Sequence, residues 1–330
     1  MTQATPATQV HVRLLANRQG KLGALMWSTP EPQALPAWLG QDSVRDLARQ
    51  LPCLWDAAAV ARWPENVQEA LAQSGMQAVD PATVAECASA FSLPPGKEWA
   101  GGDWYLQPPG KPSSAQAASR THAMRLVQLV SAEAETHEIE EVFRHDATLS
   151  YQLLRLVNSA GMSTGRVVTS FAQAILILGR QQLRRWVNLL LFAARDDDPR
   201  SAMLMAHVTL RARGMELLAH EAGLDRSQQD QAFMAGMFSM LGVLFGQPLA
   251  QVIQPLNLTD ELRQALVEQT GELGKLLRAW QAVEASDAAA LAEALAPLGV
   301  QVSACNELLP QACAWMLSVA EGDEGHGGNR

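Results

Sequence analysis

The chain has little lysine, no cysteine pair at metal- or redox-motif spacing, and no apolar run long enough to cross a bilayer. Only Lys21, Lys97, Lys111 and Lys275 are lysines, and 34 acids against 25 bases give a net charge of −9. That balance argues against a general binder of nucleic acid or anionic membrane, which needs net positive surface to gain from phosphate contacts. None of Cys53, Cys87, Cys305 and Cys313 forms a C-x-x-C pair, which excludes a zinc knuckle and a thioredoxin-type redox pair. Cys305 and Cys313 are eight apart, about 12 Å along one helix, too far for a disulfide; reduced thiols are expected. The N-terminus lacks the basic and apolar regions of a secretory signal. The longest apolar stretch, residues 232–246, falls short of the ~20 needed to span a membrane and reads as the centre of a helical core. A cytoplasmic location without membrane insertion is expected.

What is present is ample core material: 330 residues, 48% hydrophobic and 18% charged, enough for about two domains. Residues 107–119 cluster proline, glycine and serine without hydrophobic period and read as a linker. Before it, residues 10–16 and 22–27 read as two strands around a turn with Gly20. Asp42–Gln50 and Pro64–Gln73 have helical composition, and Trp99–Leu106 reads as a short strand. Residues 1–106 are therefore a small α/β domain. After the linker the pattern is helical. Asp146 is placed to cap a helix carrying Leu149, Leu153, Leu156 and Val157, and Ser170 a short one that Gly179 can stop. Residues 181–194, 203–220 and 233–245 continue it, and Thr259 with Asp260 and Glu261 opens another helix. The fold class is mainly α: an all-α domain over 120–320 preceded by the small α/β domain, with 321–330 a disordered tail.

The run His145-Asp146-Ala-Thr-Leu-Ser-Tyr-Gln-Leu-Leu-Arg-Leu-Val-Asn158-Ser159-Ala160 carries a resemblance, continued by Ser170, Gln173-Ala174-Ile175, Leu178-Gly179, Leu183-Arg184-Arg185-Trp186 and Ala235-Gly236-Met237-Phe238-Ser239. Together they resemble the HDOD domain, a bacterial signalling relative of the HD phosphohydrolases. The subgroup it is most similar to places the HDOD domain after an EAL domain that ends in a segment like Trp104-Tyr105-Leu106-Gln107-Pro108. Residues 1–106 are about half the length of an intact EAL domain, which implies a shortened, degenerate remnant.

An HD phosphohydrolase needs histidines and aspartates that hold divalent metal and activate water. The resemblance places the key dyad at Ser239 and Met240, one further ligand position at His207 and another at Thr270. A thioether cannot replace a hard carboxylate, and a serine hydroxyl is a poor neutral ligand. No metal, no cofactor and no catalytic residue are expected. The literal His145-Asp146 pair is explained by capping. Glu69-Ala70-Leu71 and Glu293-Ala294-Leu295 arise in Ala/Leu-rich helical contexts, and the Asp-Asp pair before Phe-Gly that cyclic di-GMP hydrolysis requires is missing. Asp196-Asp197-Asp198 before Pro199 reads as a solvated loop or a helix cap. Neither a P-loop nor G-x-G-x-x-G occurs.

From Ala147 through Arg195 there is no acid, yet Arg155, Arg166, Arg180, Arg184, Arg185 and Arg195 lie there, +6 within a chain of −9. Such segregation can offer arginine forks to an acidic protein partner or to a small anionic nucleotide such as cyclic di-GMP. The competing reading pairs these arginines with acids such as Glu138, Glu140 or Glu141. Asn158, Ser159, Trp186 and Gly236 read as architectural. The expected function is a non-catalytic signalling or adaptor protein acting through protein contacts. The alternatives are a nucleotide receptor and a metal-dependent phosphodiesterase with a relocated site.

Overall fold

The computed structural model describes residues 9–109, 124–126, 128–129, 132, 134, 138–139, 185, 188–189, 198–256 and 258–320, and the element labels below follow these residues in chain order. β1 (His11–Ala16) and β2 (Leu22–Ser28) form the expected antiparallel hairpin. Asn17 makes its turn: Oδ1 accepts from the N–H groups of Gln19 (2.9 Å) and Lys21 (3.1 Å), while Gly20 adopts φ 73°. The chain then passes through α1 (Leu35–Leu39) and α2 (Asp42–Gln50) to β3 (Cys53–Asp56). α3 (Ala57–Val60) and α4 (Glu65–Ser74) lead on to β4 (Gln77–Val79). β2, β3 and β4 are parallel, as helical crossovers dictate. β5 (Val84–Glu86) runs parallel to β6 (Trp99–Gly101), which pairs antiparallel with β1.

The order β4-β3-β2-β1-β6-β5 makes β4 and β5 the two edges of the sheet, although only Asp80–Thr83 separate them in sequence. The chain from Val79 to Val84 can span at most ~18 Å, whereas the edges of a flat six-stranded sheet lie ~24 Å apart. The sheet is therefore curled into a half-barrel. Leu15, Ala24 and Leu54 fill its concave face beneath Met26, Val79, Val84 and Trp99. The alternate residues, among them Leu14, Leu25, Trp27 and Trp55, face the helices and join the main core. The strand expected over Trp99–Leu106 ends early. Gly102 turns at φ 84°, close against the Cys87 carbonyl, and Trp104–Leu106 form a 3-10 turn.

The helical part is built on α5 (Ser201–Glu221), buried on nearly every side. Around it lie α6 (Arg226–Phe238), α7 (Leu241–Phe245), α8 (Leu249–Ile253), α9 (Asp260–Val267), α10 (Gly271–Glu284), α11 (Ala288–Leu295) and α12 (Val302–Ala320). Local signals start several of them. Asp225 and Gln228 form a capping box for α6, and Thr259 Oγ1 accepts from Leu262 N–H (3.3 Å) at α9, the predicted cap. Asp198 makes a local turn before α5, its Oδ1 accepting from Arg200 N–H at 3.0 Å. The single helix expected over 233–245 is instead two, α6 and α7, separated at Ser239 and Met240. Gly236 lets α6 approach α5 closely: a Cβ there would lie 2.9 Å from the Ala212 Cα. Gly214 admits the Trp280 ring in the same way. The helices expected around residues 146–157, 171–178 and 181–194 lie mostly or wholly outside the described residues. So do most of the linker and the tail.

One hydrophobic core runs from Val10, Trp27 and Trp38 of the half-barrel side to Phe233, Trp280 and Met316 of the helical side. Asn306 on α12 ties the two together: its Oδ1 accepts from Val10 N–H (2.9 Å), and its backbone carbonyl accepts from Trp38 Nε1–H (2.8 Å). Pro310 explains why that carbonyl is available, since proline has no N–H for the residue four earlier. All four cysteines are buried and free, Cys305 and Cys313 both lying on α12. Among the described residues, no single helix is long and apolar enough to cross a membrane.

Candidate functional site

Three of the residues that the HD resemblance singles out, His207, Ser239 and Met240, meet in the interior around a fourth that it does not, Arg211. His207 and Arg211 are four apart on α5 and so share a face. Ser239 ends α6, its hydroxyl donating to the Gly236 carbonyl (2.6 Å), and Met240 precedes α7. Glu284, the last residue of α10, completes the ring.

The Arg211 guanidinium sits in the middle. Its Nε donates to Glu284 Oε1 (2.9 Å) and its Nη2 to Glu284 Oε2, a two-point pairing. Nη1 donates to Ser239 Oγ (2.9 Å) and to Met240 Sδ (2.8 Å). Nη2 also lies 3.2 Å from His207 Nε2, which is itself 3.4 Å from Glu284 Oε1. On the other side of the imidazole, Nδ1 lies 3.3 Å from the hydroxyl of Tyr105, in the 3-10 turn that closes the half-barrel. Burial alone would raise the Glu284 carboxyl, but the Arg211 charge and the neighbouring His207 hold it down to about 2. Burial, reinforced by the Asp103 and Glu284 charges, pushes the Tyr105 phenol well above its ordinary value, so it stays protonated.

This donor set does not fit a divalent metal. Only His207 and Glu284 are good ligands, and no group of three or more His, Cys, Asp or Glu among the described residues could hold one. The guanidinium also lies against both of them, its Nη2 in contact with His207 Nε2 and Glu284 Oε2. A dication ~4 Å from that charge would meet ~8 kcal/mol of repulsion even at an effective dielectric constant of ~20. Thr270 is no part of the cluster: it precedes α10 at the end opposite Glu284, about 20 Å away along the helix. Glu69 and Glu293 of the two Glu-Ala-Leu tripeptides are exposed on helices α4 and α11.

Of the arginines predicted to form an interaction or anion-binding surface, Arg185 is described, and acids of the chain itself take it up. It pairs with Glu216 (2.7 Å) on α5 and with Asp230 on α6, and its fork lies 4.4 Å from the centre of the Phe233 ring. Only 12% of its side chain is exposed. Arg213 binds the same Glu216 at 2.6 Å, and these arginines lower the Glu216 carboxyl against the opposing effect of burial. The pairing is of the bridging kind, with partners other than Glu138, Glu140 or Glu141. Arg155, Arg166, Arg180 and Arg184 lie outside the described residues, as do Asp146, Asn158, Ser159, Ser170, Gly179 and Trp186. Gly236 lies where α6 packs on α5, against the Ala212 backbone.

Sequence reasoning missed Arg211, Glu284 and Tyr105. The i, i+4 spacing of His207 and Arg211 is a legible signal, but Glu284 lies 73 residues from Arg211 and Tyr105 lies 102 from His207. A short ionic contact across such distances leaves no local pattern.

Comparison with known proteins agrees with the residue pattern. Cyclic di-GMP phosphodiesterase CdgJ of Vibrio cholerae is 30% identical over 198 residues, covering 60% of this chain and 45% of that protein. The uncharacterized protein YuxH of Bacillus subtilis is 28% identical over 151 residues, 45% of this chain and 36% of its own. The chain thus spans less than half the length of these curated relatives. Among solved structures, a "putative phosphohydrolase" of Shewanella amazonensis aligns over 61% of this chain and 93% of its own at 18% identity and TM-score 0.43. An HDOD domain protein of unknown function from Geobacter sulfurreducens aligns over 65% and 93% at 12% identity and TM-score 0.39. The HDOD domain profile matches residues 119–295, more than half of the chain, and the protein belongs to the HDOD domain family.

Proposed function

We propose that the protein is a non-catalytic signalling or adaptor module that works through contacts with a protein partner, its helical part serving as scaffold. One observation carries this reading: where an HD enzyme would hold metal, Arg211 donates to Ser239, Met240 and Glu284. A buried guanidinium there leaves no room for a metal-activated water. We read the half-barrel as a shortened EAL remnant. Its βαβ strands, its length and its closing Trp104–Pro108 segment support that, and it lacks the carboxylates that cyclic di-GMP hydrolysis needs.

The test is turnover. The purified full chain, incubated with cyclic di-GMP or a linear dinucleotide and Mn²⁺ or Mg²⁺, is expected to release no product above buffer. Metal-dependent hydrolysis that disappears in His207→Ala would sink the reading. The adaptor role predicts a protein partner retained by the full chain at a fixed stoichiometry in chemical cross-linking.

A further inference from the structure

The donor set that does not fit a metal matches a different cation. We propose that the space framed by His207, Ser239, Met240 and Glu284 is a guanidinium-binding site, filled in cis by Arg211 as a tethered cation. In that role Arg211 fastens α5, α6 and α10 to one another and supports the Tyr105 contact with the half-barrel. The proposal deepens the non-catalytic reading of this site and rests on it for the comparison with a metal centre.

The hydrogen-bond inventory carries it. A guanidinium has five N–H groups in one plane and no acceptor. Here the single hydrogen of Nε goes to Glu284 Oε1. The two of Nη1 go to Ser239 Oγ and Met240 Sδ, and the two of Nη2 meet Glu284 Oε2 and His207 Nε2. Four of the five donors face acceptors of Glu284, Ser239 and Met240, and the fifth lies 3.2 Å from His207 Nε2. An ammonium, with three donors radiating from a point, cannot satisfy that set. The side chain is 9% exposed, so water does not make up for an unfilled acceptor. His207 links the site outward, since its far nitrogen faces Tyr105.

The test is chemical rescue in the full-length chain. Arg211→Ala removes the tethered ion and leaves its acceptors. Its melting temperature is expected to rise saturably with methylguanidinium, by about 2 °C once the ion reaches about five times its dissociation constant. Tetramethylammonium at equal ionic strength is expected to give no such rise, and the double variant Arg211→Ala/Glu284→Gln is expected to ignore both ions. An unsaturable response, an equal response to tetramethylammonium, or stronger stabilisation by Mn²⁺ than by methylguanidinium overturns the proposal. If Arg211→Ala does not fold, Arg211→Lys decides. A melting temperature equal to the native chain's overturns the planar-fork assignment, and a drop of several degrees with retained helicity upholds it. Phosphodiesterase turnover, which would end the non-catalytic reading, leaves this rescue experiment intact, so the two can fail separately.

Discussion

Trp38 and Pro310 are coupled through a carbonyl that belongs to neither. Proline at 310 deprives the Asn306 carbonyl of its helical N–H, and the Trp38 indole, from the half-barrel side, donates to it at 2.8 Å. A defect in α12 thereby becomes an attachment point between the two parts of the molecule. Trp38→Phe keeps an aromatic ring beside Trp27 and Trp55 but removes the donor, and is expected to cost about 1–3 kcal/mol. In a Pro310→Ala background the backbone supplies an N–H to the same carbonyl, so the same substitution is expected to cost clearly less. Urea melts of the four proteins measure the coupling, and equal costs in both backgrounds would refute it.

Where the sequence was legible, the signals were local. The Asn17–Gly20 turn, the helix Asp42–Gln50 and the Thr259 cap each follow from a few adjacent residues, and each is present. β4 and β5 are not legible as strands because each has only three residues, too few for alternation to show. Pairing with β3 and β6 makes them strands, and the four-residue link between them bends the whole sheet. At the candidate site, the positions of Ser239 and Met240 came from family resemblance. What sits between them did not, because the partners of Arg211 lie four, 28, 29 and 73 residues away.

Acid should loosen the cluster through Glu284. Its carboxyl is held at about 2 in the folded chain against an ordinary value of 4.5. A depressed carboxylate contributes stability that is present above its unfolded value and is lost as pH falls toward the folded one. The difference corresponds to roughly 3 kcal/mol at neutral pH. Glu284→Gln is therefore expected to be markedly less stable than the native chain at pH 7. The gap should close progressively between about pH 5 and pH 2. A gap that stays constant over that range would show that the charge on Glu284 is not what stabilises the fold.

Glycine substitutions should separate close packing from backbone conformation. A Cβ at Gly214 would lie 2.0 Å from the Trp280 ring, so Gly214→Ala must displace a fully buried indole. A loss of more than about 3 kcal/mol is expected, at the upper end of overpacking penalties. At Gly236 the obstacle is the Ala212 backbone at 2.9 Å, which yields only by moving α5 and α6 apart, and a loss of about 1–3 kcal/mol is expected. Gly223 has open space but φ 76°, so its alanine variant pays only the left-handed backbone penalty of about 1–2 kcal/mol. Thermal melts give the ranking. A Gly214→Ala protein as stable as Gly223→Ala would contradict the packing of α10 on α5.

Metal binding should return when the substitution at the site is reversed. If Arg211 stands where a metal would, then removing it and restoring strong ligands nearby should bring metal binding back. His207 and Glu284 already supply an imidazole and a carboxylate on facing helices. Ser239→His and Met240→Asp add one more of each, and the resulting four donors are the usual complement for Zn²⁺. With Arg211→Ala as well, the triple variant is expected to bind one Zn²⁺ or Mn²⁺ per chain in competition with a chromophoric chelator. The double variant that keeps Arg211 has the same new ligands, yet the guanidinium both pairs with Glu284 and repels the ion. It is expected to bind at least a thousandfold more weakly, on the order of 4 kcal/mol, about half of the repulsion allowed for above. Equal affinity in the two variants would mean that the missing ligands alone, and not the arginine, exclude metal from this fold.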